Sequence, residues 1–144
     1  MSRRVNKNQS KLKFDFQKTV EYWLDGARYD MDTATTMYEK GRYPYALFVG
    51  HLAIEKLLKA LVVARTGEHA PYTHSLPLLA AKLDFKLPRA LLKHLSRFME
   101  FHFEARYPDE QKKFYRKCTK EFTKRNMQHV GKAFQWLIEK SEKK

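Results

Sequence analysis

The chain has 144 residues, a single cysteine and a formal net charge of +13, with a pI near 9.8. That length is one ordinary domain, large enough to bury a core without covalent staples. Cys118 alone makes neither an internal disulfide nor a paired-cysteine zinc site, which excludes a disulfide scaffold and a zinc ribbon.

The apolar run Ala60 to Ala64 falls far short of the roughly 20 residues that a membrane helix requires. The opening MSRRVNKNQSKLKF is basic with no apolar stretch behind it, unlike a secretory signal, so a cytoplasmic protein is expected. The positive excess favours anionic partners, RNA or a nucleotide among them, and no membrane.

Residues 1–15 carry Arg3, Arg4, Lys7, Lys11 and Lys13 and read as a flexible basic arm. Residues 16–144 read as a single helical domain with fraying charged residues from Glu139 onward. The first helix is expected from Phe16 to Lys40, because Val20, Leu24, Ala27, Met31, Ala34 and Tyr38 recur at steps of three and four. Gly41 supplies its stop. A second helix opens at Pro44 and runs to Gly67. Apolar residues cover most of its circumference, which marks it as the central helix. Glu55 precedes Lys59 by four residues, the favourable order for a helical ion pair worth about 0.2–0.5 kcal/mol.

Gly67 to His74 reads as a loop. Ser75 is the expected N-cap of a short helix ending near Leu83. Pro88 opens a fourth helix expected to last to Ala105, where Pro108 bars helix at Tyr107. A long fifth helix is expected from Glu110 to Ser141, with Tyr115, Cys118, Phe122, Val130, Ala133 and Leu137 on its apolar stripe. No strand-like alternation is present. The pattern predicts an all-α fold, an antiparallel four-helix up-and-down bundle with one additional short helix.

Three strings occur in order: RYPYALFVGHLAIEKLLKALVV from Arg42, YTHSL from Tyr72 and EARYPDE from Glu104. Together they resemble the HEPN family, over about Lys18 to Glu139. The resemblance implies a helical bundle that forms homodimers. It also implies an association with small nucleotidyltransferases as protein partners. Some members are metal-independent ribonucleases and toxins of toxin–antitoxin pairs; others bind nucleotides or act as non-catalytic partners. The nuclease members carry an arginine and a histidine a few residues apart. Arg97 and His102, with four residues between them, fit that pattern. The residue after the arginine is usually polar in active members, whereas here it is Phe98.

Cleavage of RNA without metal needs a base for the ribose 2′-hydroxyl, an acid for the leaving 5′-oxygen and positive charge at the phosphate. Histidine suits the first two tasks and the arginine fork the third. His102 and Arg97 are therefore the candidate catalytic residues, and Arg106 a phosphate contact. On a straight helix Arg97 and His102 lie about 140° apart, so a site built from two chains is expected. Leu91, Leu95, Phe98 and His102 also share one helical stripe, and the alternative for His102 is a core or interface imidazole. Lys112, Lys113, Arg116, Lys117, Lys120, Lys124 and Arg125 form a candidate basic surface, or the solvated face of an amphipathic helix.

His51 and Glu55 share a helical face but are too few for a structural zinc site, so no metal and no cofactor is expected. His74 is expected to order the loop before the short helix, and His69, His94 and His129 have no compelling partners. Tyr43, Tyr45, Tyr72 and Tyr107 are expected to pack the bundle ends. Cys118 sits among cations, but its place on the apolar stripe predicts burial rather than reactivity. Two functions remain: an RNA-directed protein, as a metal-independent endoribonuclease, and a non-catalytic nucleotide-binding or protein-interaction module. Net charge and the arginine–histidine spacing favour the first, Phe98 the second.

Overall fold

The computed structural model describes residues 14–142. Residues 1–13, nearly all of the expected basic arm, lie outside the described residues, as do 143 and 144. Six α-helices follow in order: α1 Phe16–Glu39, α2 Tyr43–Thr66, α3 Leu76–Ala81, α4 Arg89–Phe98, α5 Pro108–Lys117 and α6 Lys120–Glu142. No strand occurs among the described residues. No helix of the described residues is long and apolar enough to cross a membrane.

Boundaries sit where local chemistry puts them. The Asp15 carboxylate caps α1 by accepting from the Lys18 amide at 3.2 Å. Gly41 and Gly67 follow α1 and α2 with φ of 77° and 69°, the left-handed region open to glycine. Ser75 Oγ accepts from the Leu78 amide at 3.2 Å and caps α3 as expected. Pro44 and Pro108 stand in the first turns of α2 and α5.

α1 and α2 pair as an antiparallel hairpin, and α6 packs along α2. α4, the turns after it and α5 form the fourth, interrupted limb, and α3 is the additional short helix. The fold is thus the all-α four-helix bundle with one extra helix. α2 is the central rod, with Leu47, Ile54, Leu57, Leu58 and Leu61 at most 1 % exposed. Gly50 lets α6 come close: a Cβ there would stand 3.3 Å from Val130 Cγ1.

Two expected helices are broken. The fourth ends at Phe98 and gives way to 3₁₀ turns over Met99–Phe101 and Phe103–Ala105, divided by His102 at φ −81°, ψ 58°. The cause is packing. Phe98, Phe101 and Phe103 are all buried, and a regular α-helix cannot turn positions three and five apart toward one core. Three residues per turn align Phe98 with Phe101, and the kink at His102 swings Phe103 inward. Phe98 stacks on Phe101 at 5.6 Å, and Phe103 on Phe114 at 5.4 Å.

The expected fifth helix is likewise two. Cys118 leaves helical geometry at ψ 64°, and Thr119 Oγ1 caps α6 by accepting from the Phe122 amide at 3.1 Å. Phe114 on α5 and Cys118 just past its end are buried, while Tyr115, placed by sequence on that stripe, is half-exposed. α6 holds to Glu142, past the expected fraying point at Glu139. Tyr45 packs edge-on against Phe103 at 5.3 Å, but Tyr72 and Tyr107 stand in solvent rather than packing the bundle ends.

Phe98 is a core residue at zero exposure. Phe98→Ala is expected to lower unfolding free energy by about 3–5 kcal/mol in urea titrations. A loss below about 1 kcal/mol would contradict the packing role given to this ring.

Candidate functional site

The charged residues around the α4–α5 corner divide between two neighbouring surfaces. The first is a cleft of about 440 Å³ between α4 and α5, where Arg97, Arg106, Lys113 and Lys117 meet Glu100 and Glu110. Lys117 Nζ pairs with Glu100 at 2.6 Å, and Lys113 Nζ with Glu110 at 3.8 Å. Both carboxylates are thereby engaged by lysines. Arg97 and Arg106 are exposed, and neither has a carboxylate partner among the described ion pairs. Two free guanidinium forks beside two ammonium groups make a cleft suited to phosphate.

His102 does not line this cleft. Its kinked backbone turns the ring toward α2 and the loop before α3, where three imidazoles gather. The rings of His102 and His51 lie 5.0 Å apart, those of His102 and His74 5.5 Å, and Phe48 stands 5.6 Å from His102. His102 is half-buried, so its ring is partly open to solvent.

Beneath His74 lies Glu55, 5 % exposed. Its carboxylate accepts from His74 Nδ1 at 3.1 and 3.3 Å and from Lys59 Nζ at 3.1 Å. Lys59, itself buried, also sits over the Trp23 ring at 5.1 Å. His51 is fully buried; its Nδ1–H donates to the Phe48 carbonyl, and its Nε2 has no partner. Burial, countered by that hydrogen bond, brings its pKa down to about 4. The His51 ring is therefore neutral at pH 7, its Nε2 an unprotonated acceptor within the cluster.

Sequence reasoning placed His102, Arg97 and Arg106 near one corner, but it missed Glu55, His74 and His51 as members of the same neighbourhood. His51 and Glu55 were visible as an i, i+4 pair, and His74 stood out as a loop histidine. What joins them is a contact across 19 residues, which no local periodicity signals. Among the described residues no group of three or more metal-ligating side chains is arranged to hold a metal ion.

The seven basic-surface residues are all exposed, divided between α5 and α6 on either side of the Cys118 break. Cys118 is 7 % exposed, and burial, then Glu100, push its thiol up to about 12 against the pull of Lys117. It is no nucleophile. His94 and His129, unpaired in the sequence reading, stack at 4.1 Å between α4 and α6. Burial, then His94, lowers the His129 pKa.

The HEPN domain family model matches residues 20–142. The chain belongs to the HEPN family. Two solved structures share the fold. The protein TT1696 from Thermus thermophilus superposes with a TM-score of 0.72 at 26% identity, over 84% of this chain and 97% of its own. ST0689, an archaeal HEPN homologue, gives 0.68 at 21% identity, over 85% and 98%. No curated protein matches the sequence. The HEPN match spans both surfaces, since α2, the His74 loop, α4 and α5 all lie inside it.

The buried His51 makes HEPN-domain stability sensitive to acid. Below the ordinary value of 6.5 the unfolded chain takes up a proton that the folded chain refuses until about pH 4. Stability contributed by the neutral ring is thus full above 6.5 and is lost as pH falls through that window, up to about 3 kcal/mol. His51→Gln is expected to flatten that part of the unfolding free energy between about pH 7 and pH 4. An unchanged pH dependence in the variant would remove His51 as its source.

Proposed function

We propose that this HEPN protein is RNA-directed, holding phosphates of a single strand in the Arg97–Arg106 cleft and cleaving the strand without metal at the adjoining imidazoles. The observation that carries the reading is the pair of guanidiniums free of carboxylate partners in a cleft that also holds Lys113 and Lys117. A structural arginine is normally satisfied by a carbonyl or a carboxylate; two open forks in one cleft suit an external anion. The exposed cations of α5 and α6, from Lys112 to Arg125, extend the positive surface beyond the cleft and support a polymer rather than a lone mononucleotide.

In this reading His102 handles protons, while Arg97 and Arg106 neutralise the phosphate. A homodimer fits it, because within one chain His102 faces α2 while the guanidiniums face α5. A second copy brings one chain's cleft to the other's imidazoles. The reading as a binding module that cuts nothing has its own support. Phe98 is sealed in the core where active members usually carry a polar residue, and His102 stands outside the arginine cleft.

RNA affinity measured by fluorescence anisotropy is expected to fall steeply between about 50 and 200 mM salt. Arg97→Ala and Arg106→Ala are each expected to weaken binding about tenfold, the loss of one charge-assisted contact. The salt slope should drop by about 0.7 for each phosphate contact removed from a single strand. Salt-independent binding, or unchanged affinity in both variants, overturns the cleft assignment. Incubation with RNA in chelator separates the two readings: cleavage lost in His102→Ala supports the nuclease, and binding without cleavage supports the module.

A further inference from the structure

We propose that His74 is a second proton-transfer residue of the RNA-cleaving site and that the buried Glu55 carboxylate is its positioning residue; this rests on the RNA-cleaving reading above. Transesterification of RNA moves two protons, one off the 2′-hydroxyl and one onto the leaving 5′-oxygen. A lone His102 has to serve both, while two imidazoles divide the work.

The six histidines of the chain narrow to one partner for His102. His51 is sealed, with its ring held neutral by burial. His69 rests on the Phe14 ring at 3.8 Å, on another part of the surface. His94 and His129 stack on each other in a separate pocket beside Trp136. His74 remains, with its ring edge-on to His102 at 5.5 Å and its side chain 61 % exposed.

Glu55 fixes the tautomer of His74. An ionised carboxylate only accepts, so Nδ1 of His74 carries the proton and Nε2 is left bare. Lys59 Nζ donates to Oε2 of Glu55, the oxygen His74 also meets at 3.1 Å, and Trp23 sits beneath Lys59, so the orienting group is itself held in place. The groups facing His74 are Glu55, with Lys59 behind it, and His102, with His51 beyond. The loop that carries His74 is tied to the arginine cleft as well. Met99 lines that cleft, and its sulfur accepts from the Leu76 amide, two residues past His74, at 3.4 Å.

In the step this assigns, Nε2 of His74 takes the 2′-hydroxyl proton as the 2′-oxygen bonds to phosphorus. Glu55 stabilises the imidazolium that forms. The phosphorus–O5′ bond breaks, and protonated His102 gives its proton to the departing oxygen. The products are a 2′,3′-cyclic phosphate and a 5′-hydroxyl. No oxidant, metal or cofactor enters the balance, and exchange with water resets both rings.

The test is single-turnover cleavage of a short single-stranded RNA by the full chain in chelator, with affinity for the 2′-deoxy version of the strand measured in parallel. His74→Ala is expected to slow cleavage by about 10²–10⁴-fold, to leave affinity within about twofold and to regain rate when free imidazole is added. Glu55→Gln is expected to lower the single-turnover rate at least about tenfold with affinity within about twofold, its fold checked by its unfolding midpoint. If the wild type cleaves and His74→Ala cleaves equally well, or slows without imidazole rescue, His74 is not the base and the RNA-cleaving reading stands on His102 alone. If the wild type binds RNA and cleaves nothing, the cleavage reading and this assignment fall together, leaving the binding module.

Discussion

The carboxylate of Glu55 is the point on which this end of the bundle depends. A charge in the interior is tolerated only when neighbours replace its lost water, and here two do. Lys59 comes from the same helix one turn on; His74 comes from a loop 19 residues away. The two side chains of the Glu55–Lys59 pair are 7 % and 11 % exposed, so this is a buried pair whose energetics differ from those of the surface pair that its spacing suggests. Removing one partner strands the other's charge in the core, a cost of about 3–5 kcal/mol. The pair is weak as an argument for stability and strong as an argument for position: Lys59 and His74 converge on Oε2 of the buried carboxylate, and His74 also reaches Oε1.

From that anchor the rest of the corner follows. Holding His74 on α2 fixes the loop that ends at Ser75, and Ser75 starts α3. The Leu76 amide then reaches the sulfur of Met99, fastening the turn after α4. That turn cannot stay α-helical, because Phe98, Phe101 and Phe103 all need the same core. The kink that satisfies them falls on His102 and delivers its ring to His51 and His74. Core packing and site geometry are thus one event, and the irregular backbone is the means by which apolar demand places a polar ring.

The helices as far as the start of α4 were legible in the sequence because their signals are local. Glycine stops at 41 and 67, prolines at 44 and 88, the Ser75 cap and the 3.6-residue periodicity of α1 each report on a few neighbouring residues. The breaks at His102 and Cys118 were hidden because no proline or glycine marks them. At the first, the signal was three phenylalanines at 98, 101 and 103, a spacing unsuited to one helical face. At the second it was Thr119, a capping residue inside a supposed helix, with Phe114 rather than Tyr115 one turn before Cys118. The candidate site was half legible. Arg97 and His102 came from the family resemblance, and Arg106 from its place four residues after His102 on a helix that in fact ends at Phe98. The Glu55–His74 contact came from neither periodicity nor charge pattern, because it is a tertiary pairing between residues that each had a sufficient local explanation.

The kink also changes what the arginine–histidine spacing means in this chain. On a straight helix Arg97 and His102 are separated by a rotation of about 140° and share one rigid axis. Here the helix has ended between them, so the angle no longer governs; the partners of each side chain do. Arg97 looks onto α5 with Arg106, and His102 looks onto α2 with His74. The two surfaces share one wall, the Met99 turn, and differ in chemistry: guanidiniums with no carboxylates to satisfy them on one side, imidazoles oriented by a buried carboxylate on the other. Phosphate neutralisation asks for the first and proton transfer for the second. A strand crossing that turn, or a second chain laid against it, meets both in succession, whereas a mononucleotide seated in the cleft meets only the first. In the proposed RNA-directed reading, the extent of the ligand, more than the identity of any single residue, therefore decides whether the imidazoles are used.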